Sequence, residues 1–171
     1  PDTWPTWIGL GLLRVACWLP HRAALAIGRG LGGLAYRFGG ERRAVVRRNI
    51  ELCFPEFSDD ERENLVRQHF AALGMSMIEM GLGRWASDQH LVAMTEIEGV
   101  EHVLEAINQG QGVILLSAHF TTLELSGRVL KLSIPPFDAV YRRSRSDFTT
   151  EVLRSGRERS AADTIEKRDI K

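Results

Sequence analysis

The sequence predicts an α/β fold with a helical N-terminal region. Two observations lead to this prediction: apolar, glycine-rich segments come first, and a continuous apolar run, Val113–Leu116, is followed by a helical pattern and a second strand pattern. Strand, helix and strand within about thirty residues form a βαβ unit, the building block of parallel sheets. Of the 171 residues, 44% are hydrophobic and 26% are charged, which is typical of a globular chain and excludes a disordered one.

The N-terminal segment predicts a helical membrane anchor. The stretch Trp7–Leu19 is apolar except for Arg14, but thirteen helical residues rise only about 20 Å, less than the roughly 30 Å of a hydrocarbon core. An interfacial or shallow anchor fits better, because tryptophans favour the headgroup zone. Ala23–Phe38 predicts the second arm, so we assign residues 1–39 to a membrane-anchoring helical hairpin. The alternative is an amphipathic helix buried against the rest of the protein.

Charge is distributed unevenly, although the net charge is zero. Residues 1–50 hold eight arginines and two acidic residues, whereas residues 51–111 hold three basic and twelve acidic residues. A basic block beside apolar residues indicates contact with a membrane surface, and its position favours the cytoplasmic leaflet. A solvated face is the alternative. Neither the five histidines nor the two cysteines have the spacing of a metal site or a redox motif.

The middle of the chain predicts further helices. Gly40–Phe54 has helical spacing and ends at Pro55; Ser58 and Glu61 then form a capping-box pattern that opens a long helix. Its apolar stripe consists of Leu65, Val66, Phe70, Leu73, Met77 and Ile78. Residues 95–112 predict a short strand, a turn and a helix that ends at Gly110.

His119 follows the apolar run Val113–Leu116, and Arg142 follows the second predicted strand. Because functional groups collect at the carboxyl ends of strands in open α/β sheets, we expect both residues at one edge of the sheet. Glu124 lies in the first turn of the intervening helix, within reach of His119. Histidine is the usual general base near neutral pH, and a carboxylate on its other ring nitrogen orients the imidazole.

The pair also has structural interpretations. Thr121 and Glu124 fit a capping box, Glu124 and Arg128 fit an i, i+4 ion pair, and His119 fits a satisfied core histidine. No serine or cysteine nucleophile lies beside His119. A catalytic histidine here would therefore act on a hydroxyl of the bound substrate, which would attack an acyl carbonyl directly.

Several segments carry a family resemblance. "HFTTLE" is similar to the H-x-x-x-x-D/E signature of the lysophospholipid acyltransferase superfamily. The surrounding sequence resembles the late lipid A biosynthesis acyltransferases of the lauroyl/myristoyl type, in "WIGLGLLRVACWLP", "RRNIELCFPEFSDDERENLVRQHFAALGMSMIEM", "GVILLSAHFTTLELSGRVL" and "YRRSRSDFTTEVLRSGRERS". These segments cover nearly the whole chain in the family's order.

The resemblance implies an αβα-layered acyltransferase fold and an enzyme on the cytoplasmic face of the bacterial inner membrane. It would move an acyl chain from acyl carrier protein to a hydroxyl of a Kdo-bearing lipid A precursor, with no metal, bound cofactor or nucleic acid. His119 would be the general base and Glu124 its orienting partner. Arg142, Arg157 and Arg159 would bind substrate, because arginine forks bind phosphate and carboxylate oxyanions.

Two departures from the family pattern qualify these expectations. The family often has asparagine soon after the Tyr–Arg pair, where this chain has Arg145, Ser146 and Asp147. Family members are also markedly longer, so we expect residues 40–171 to be an incomplete acyltransferase domain, truncated at its C-terminal side. The alternatives are an acyltransferase with another lysophospholipid or glycolipid acceptor and a membrane-associated homologue without catalysis.

Overall fold

The computed structural model describes residues 4–118, 120–141 and 163–166, a mostly helical α/β chain. The elements in chain order are α1 (Trp4–Ala16), α2 (His21–Phe38), α3 (Gly40–Cys53), α4 (Asp59–Trp85), α5 (Asp88–Met94), α6 (Val100–Asn108), α7 (Leu123–Lys131), β1 (Asp138–Tyr141) and β2 (Asp163–Glu166). They form two compact units, residues 1–81 and 82–171. The predicted domain boundary after residue 39 and the αβα layering stay predictions.

In the first unit, α2 and α4 approach each other through glycines. The buried residues of α2 are Ala24, Gly28 and Gly32, one helical turn apart. A Cβ atom on Gly32 would lie 2.1 Å from the Phe70 carbonyl oxygen, and one on Gly74 would lie 2.0 Å from the Gly28 carbonyl oxygen. Any side chain larger than hydrogen at these positions would therefore separate the two helices.

The core of the first unit follows a narrow stripe on α4. Val66, Phe70 and Ile78 are almost fully buried, as predicted. Leu73 and Met77 belong to the same stripe but are 47% and 50% exposed, so the buried part of the stripe is narrower than its apolar pattern. Burial on α4 recurs every fourth residue because α2 crosses α4 closely along one narrow line. The positions three residues after each buried residue lie at the edge of this contact.

The capping box that begins α4 is confirmed. The Ser58 backbone N–H donates to Glu61 Oε2 at 2.8 Å, and the Glu61 N–H donates to Ser58 Oγ at 3.4 Å. The Ser58 hydroxyl also donates to Glu61 Oε2 at 2.7 Å. These bonds stabilise the ionised carboxylate and lower the pKa of Glu61. Three acidic residues in the first turn add a favourable interaction with the helix dipole.

A polar cluster around Glu63 links α2, α3 and α4. The Tyr36 hydroxyl donates to Glu63 Oε1, and Arg47 donates to Glu63 Oε2 through Nε at 3.2 Å and Nη2 at 2.5 Å. The guanidinium groups of Arg43 and Arg67 each lie 5.1 Å from the centroid of the Tyr36 ring, within cation–π range. The bonds from Tyr36 and Arg47 lower the pKa of the Glu63 carboxyl group.

The N-terminal helices present apolar side chains to the outside of the first unit. Trp4, Trp7 and Trp18 are 60–75% exposed, and Phe38 at the end of α2 is 79% exposed. The opposite side of α1 contacts α4, since a Cβ on Gly81 would lie 2.7 Å from Cys17 Sγ. Within the described part of the chain, no helix combines the length and apolar character needed to cross a bilayer.

In the second unit, capping residues define two short helices. Ser87 caps α5, with its Oγ accepting from the His90 N–H at 3.2 Å, and Leu91 is fully buried. Glycines at positive φ flank α6, Gly99 at 78° and Gly110 at 74°. Helix α6 ends at Asn108 and Gly110 follows it at positive φ, so the predicted stop at this glycine is confirmed. The short strand predicted before α6 is wrong, because residues 95–98 have no regular secondary structure.

The sheet is parallel but has different strands from those predicted. The second predicted strand is confirmed as β1, which pairs with β2 in the register Asp138↔Asp163 to Tyr141↔Glu166. The first is wrong: Val113–Leu116 is not a strand, and Ile114 and Leu116 are 96% and 97% exposed. An apolar run becomes a buried strand only when neighbouring strands supply hydrogen bonds, and the described residues supply none to this run.

The close contact between α2 and α4 predicts that alanine substitution on α2 destabilises the protein at Gly32 but not at its neighbour Gly33. We expect Gly32→Ala to lower the free energy of unfolding by roughly 1–3 kcal/mol, because its Cβ would overlap the Phe70 carbonyl and force α2 away from α4. Urea denaturation followed by far-UV circular dichroism measures the change.

The neighbouring residue of α2 supplies the control. Gly33 is exposed, and a Cβ there would meet no atom within 4 Å. We expect Gly33→Ala to leave stability unchanged or raise it by up to about 1 kcal/mol, since alanine favours a helix more than glycine does. Equal effects of the two substitutions would contradict the close helix contact.

The Glu63 cluster predicts an acid-sensitive component of stability. Because the pKa of Glu63 is lowered in the folded state, its contribution is present above the ordinary glutamate pKa and is lost as pH falls through the lowered value. We expect Glu63→Gln to flatten the fall of the unfolding free energy between neutral and acid pH, measured by denaturation at several pH values. Tyr36→Phe should flatten it partly, because one donor remains. If the unfolding free energy of Glu63→Gln fell with pH as steeply as that of the wild type, Glu63 would not be the source of the acid sensitivity.

Candidate functional site

Helix α7 carries Glu124, one member of the predicted catalytic pair. Thr122 is the N-cap residue, and Glu124 is the second residue of the helix. Glu124 is partly buried. Its backbone rests on the last turn of α4, where a Cβ on Gly83 would lie 3.3 Å from the Glu124 carbonyl oxygen and 3.3 Å from Leu125 Cα. The first turn of α7 therefore has a defined position within the second unit.

The capping-box interpretation of Glu124 is wrong. The sequence placed the N-cap at Thr121, which would put Glu124 at N3, but the helix begins one residue later and Thr122 makes no side-chain capping bond. A capping box requires a glutamate three residues after the N-cap, so Glu124 does not satisfy the geometry. Glu124 nevertheless lies in the first turn of α7, where the helix dipole interacts favourably with an acidic side chain.

Arg128, one turn after Glu124, makes an ion pair across the second unit. Its Nη2 donates to Oδ1 of Asp88, the first residue of α5. The Arg128 side chain is only 10% exposed, whereas that of Asp88 is 59% exposed. The sequence suggested Arg128 only as an i, i+4 partner of Glu124; the structure adds a partner 40 residues away. No sequence pattern links Asp88 to this helix, so sequence reasoning missed it.

The second unit contains an open, mostly apolar pocket of about 230 Å³. Val129 of α7 contributes to its wall, next to α5 and α6. Four of its six lining residues are aliphatic, and Thr95 and Ser133 supply hydroxyl groups; the full lining is Val92, Thr95, Ile97, Val100, Val129 and Ser133. Helix α7 thus has Glu124 at its beginning and an apolar wall near its end.

The other predicted site residues lie outside the described residues. His119, Arg142, Arg157 and Arg159 belong to the segments for which the structure gives no placement, so their roles stay predictions. The structure describes the residues on either side of His119, and α7 begins four residues after it. In the described part of the chain, no group of three or more histidine, cysteine, aspartate or glutamate side chains could hold a metal ion.

Comparison with known proteins assigns the chain to a family. The family model described as bacterial lipid A biosynthesis acyltransferase matches residues 1–171. The lipid A biosynthesis lauroyltransferase of Escherichia coli is 36% identical over 171 residues, which are all of this chain and 56% of that protein. No solved structure matches the chain.

Two further relatives agree with this assignment. The lipid A biosynthesis palmitoleoyltransferase of Escherichia coli is 36% identical over 94% of this chain and 52% of that protein. A lipid A biosynthesis acyltransferase of Haemophilus influenzae is 34% identical over all of this chain and 55% of that protein. The chain therefore spans about half the length of the curated relatives it matches.

Proposed function

This chain belongs to the bacterial lipid A biosynthesis acyltransferase family, and on that premise we propose that the protein transfers a fatty acyl chain from acyl carrier protein to a hydroxyl of a Kdo-bearing lipid A precursor. The observation that carries the proposal is the family match along all 171 residues, which includes the "HFTTLE" signature. The structure adds that Glu124 of this signature lies in the first turn of α7, a helix that contacts Gly83 through its backbone and Asp88 through Arg128.

In the proposed reaction, His119 removes the proton from the acceptor hydroxyl. The hydroxyl oxygen then attacks the carbonyl carbon of the acyl thioester, a C–O bond forms, and the C–S bond to the carrier breaks. The proton held by His119 passes to the departing thiolate, so that the histidine is again neutral. Glu124 accepts a hydrogen bond from the second ring nitrogen of His119, which fixes the tautomer and stabilises the transient imidazolium.

Arginines after β1 would bind the charged groups of the two substrates. Arg142 directly follows β1, and Arg157 and Arg159 follow further along the chain. The proposed acceptor carries phosphate and sugar carboxylate groups, and acyl carrier protein is acidic. Planar guanidinium groups bind such oxyanions with two parallel hydrogen bonds, which position a substrate more precisely than a single charge does.

We further propose that the protein acts at the cytoplasmic face of the bacterial inner membrane. The support is the set of exposed apolar side chains on α1, α2 and the turn between them, which include three tryptophans. Arginines of α2 and α3 follow in sequence, and such basic residues are attracted to anionic lipid headgroups. An acceptor that carries several acyl chains would be reached most directly from this surface.

The catalytic proposal predicts loss of acyl transfer on substitution of the signature residues. We expect His119→Ala to lower the transfer rate by about 10²–10⁴-fold, because the reaction loses its general base. The protein at its full genomic length is expressed in membranes and supplied with lauroyl- or myristoyl-acyl carrier protein and a Kdo-bearing lipid A precursor. Mass spectrometry then measures the acyl-sized gain in mass of the acceptor.

A parallel Glu124→Ala variant tests the second member of the proposed catalytic pair. Loss of transfer in both His119→Ala and Glu124→Ala supports the catalytic pair, and Ser126→Ala, on the exposed face of α7, serves as the control that retains activity. Retained transfer in His119→Ala would refute the mechanism. No transfer by the wild type with any donor would favour another lysophospholipid or glycolipid acceptor, or a homologue without catalysis.

The membrane proposal predicts that the exposed tryptophans contribute to lipid binding. We expect combined substitution of Trp4, Trp7 and Trp18 by serine to reduce co-sedimentation with vesicles of phosphatidylethanolamine and phosphatidylglycerol, because interfacial aromatic contacts are lost. The matched control replaces three exposed apolar residues of the second unit, Val92, Ile107 and Val140, by serine. Equal binding of both triple variants would contradict the proposed surface.

A further inference from the structure

We propose that Arg128 and Asp88 form a positioning pair that fixes the first turn of α7, and Glu124 with it, for acyl transfer. The inference rests on the proposed function, in which Glu124 orients the general base. Arg128 acts through α7 and is not assigned a contact with either substrate. The proposal extends the site from the signature residues to a charged residue of α5 that lies outside the signature.

Arg128 is buried although it carries a charge. It is a charged residue with 8% relative exposure, and it contacts the Asp88 carboxylate through Nη2. Removal of a guanidinium group from water is costly unless the charge is paired and hydrogen-bonded. Rotation of α7 about its axis would pull Arg128 away from Asp88 and leave the guanidinium group buried without that carboxylate. The ion pair therefore selects one rotational setting of the helix.

Arg128 and Glu124 are spaced four residues apart on α7. Residues four apart lie on the same face of a helix, about one turn from each other. A rotation that displaced the Arg128 side chain would displace Glu124 in the same direction, because α7 is continuous from Leu123 to Lys131. The ion pair with Asp88 fixes the rotation of α7 at Arg128, and this rotation in turn fixes the position of the Glu124 carboxylate.

The turn of α7 that runs from Glu124 to Arg128 is also held at its Glu124 end. The backbone of Glu124 and Leu125 packs against Gly83, where even a Cβ atom would be only 3.3 Å away. Contact with a backbone restricts the approach of α7 to α4, and the ion pair restricts its rotation. The two contacts together limit the movements that would carry Glu124 away from a reacting group.

Asp88 belongs to a capped helix that packs into the core of the second unit. It is the first residue of α5, directly after the Ser87 N-cap, and Leu91 anchors the helix in the core of the second unit. An acidic side chain at this end of a helix is also stabilised by the helix dipole. A site built on such elements can keep its groups within roughly 0.5 Å of the productive geometry, and a misplacement of about 1 Å can reduce a rate 10²-fold.

The test measures kcat and KM of the protein at its full genomic length in membranes. Asp88→Asn removes the charge but keeps a similar shape, and Arg128→Lys keeps the charge but removes the planar fork. We expect each to lower kcat by about 10–100-fold while the KM for acyl carrier protein changes less than about threefold, since neither residue is assigned to donor binding. The folded fraction, measured by denaturation, normalises every rate.

A double-mutant comparison separates positioning from a merely structural role. If the pair acts through Glu124, then Asp88→Asn in a Glu124→Gln background should cause less than about a threefold further loss of kcat, although it causes a large loss alone. Val66→Ala is the stability control, because it lowers stability in the first unit and should leave kcat per folded molecule unchanged.

The outcomes distinguish the inference from the proposed function. Wild-type kcat per folded molecule in both Asp88→Asn and Arg128→Lys would overturn the positioning role and leave the pair a structural contact. Fully multiplicative losses in the double variant would also overturn it. If Glu124→Gln itself retained wild-type kcat, the role of Glu124 in the proposed function would fail first. If Asp88→Asn does not fold, Arg128→Lys is measured instead, both alone and in the Glu124→Gln background.

Discussion

Close approach of backbones at glycines is the constraint on which both units depend. In the first unit, Gly28 and Gly32 of α2 meet the backbone of α4 at distances that leave no space for a Cβ atom. In the second unit, Gly83 allows a less extreme approach to the first turn of α7, because a Cβ atom there would lie 3.3 Å from the Glu124 carbonyl oxygen. Because glycine has only a hydrogen atom as its side chain, the backbones of the two helices make dispersion contacts directly. Each pair of helices therefore has one closely defined relative position.

Electrostatic contacts add specificity to this packing, and their surroundings decide what each contributes. The Glu63 cluster links three helices but is partly exposed, so screening by water reduces its contribution to stability. The Arg128–Asp88 pair differs because the guanidinium group is buried. Loss of its carboxylate would leave a charge in a poorly solvated place, which makes the pair a stronger determinant of geometry than an exposed one.

Where the structure departs from the sequence pattern, the reasons are physical. Val113–Leu116 has the composition of a buried strand, but composition does not supply the neighbouring strand that a ladder needs. Thr121 and Thr122 are chemically equivalent N-cap candidates, and a shift of one residue removes Glu124 from the capping geometry. Leu73 and Met77 match the helical period, yet the narrow crossing of α2 and α4 leaves them half exposed.

Local chemistry along the chain was enough to determine several features of this protein. The Ser58–Glu61 capping box, the end of α6 just before Gly110, the strand at Asp138–Tyr141 and the family itself all follow from neighbouring residues or from motifs in order. Only the tertiary structure decided that β1 pairs with β2, that Gly28, Gly32 and Gly83 are contact points, and that Arg128 reaches Asp88. These features join residues distant in sequence, and such contacts depend on packing that no local pattern encodes.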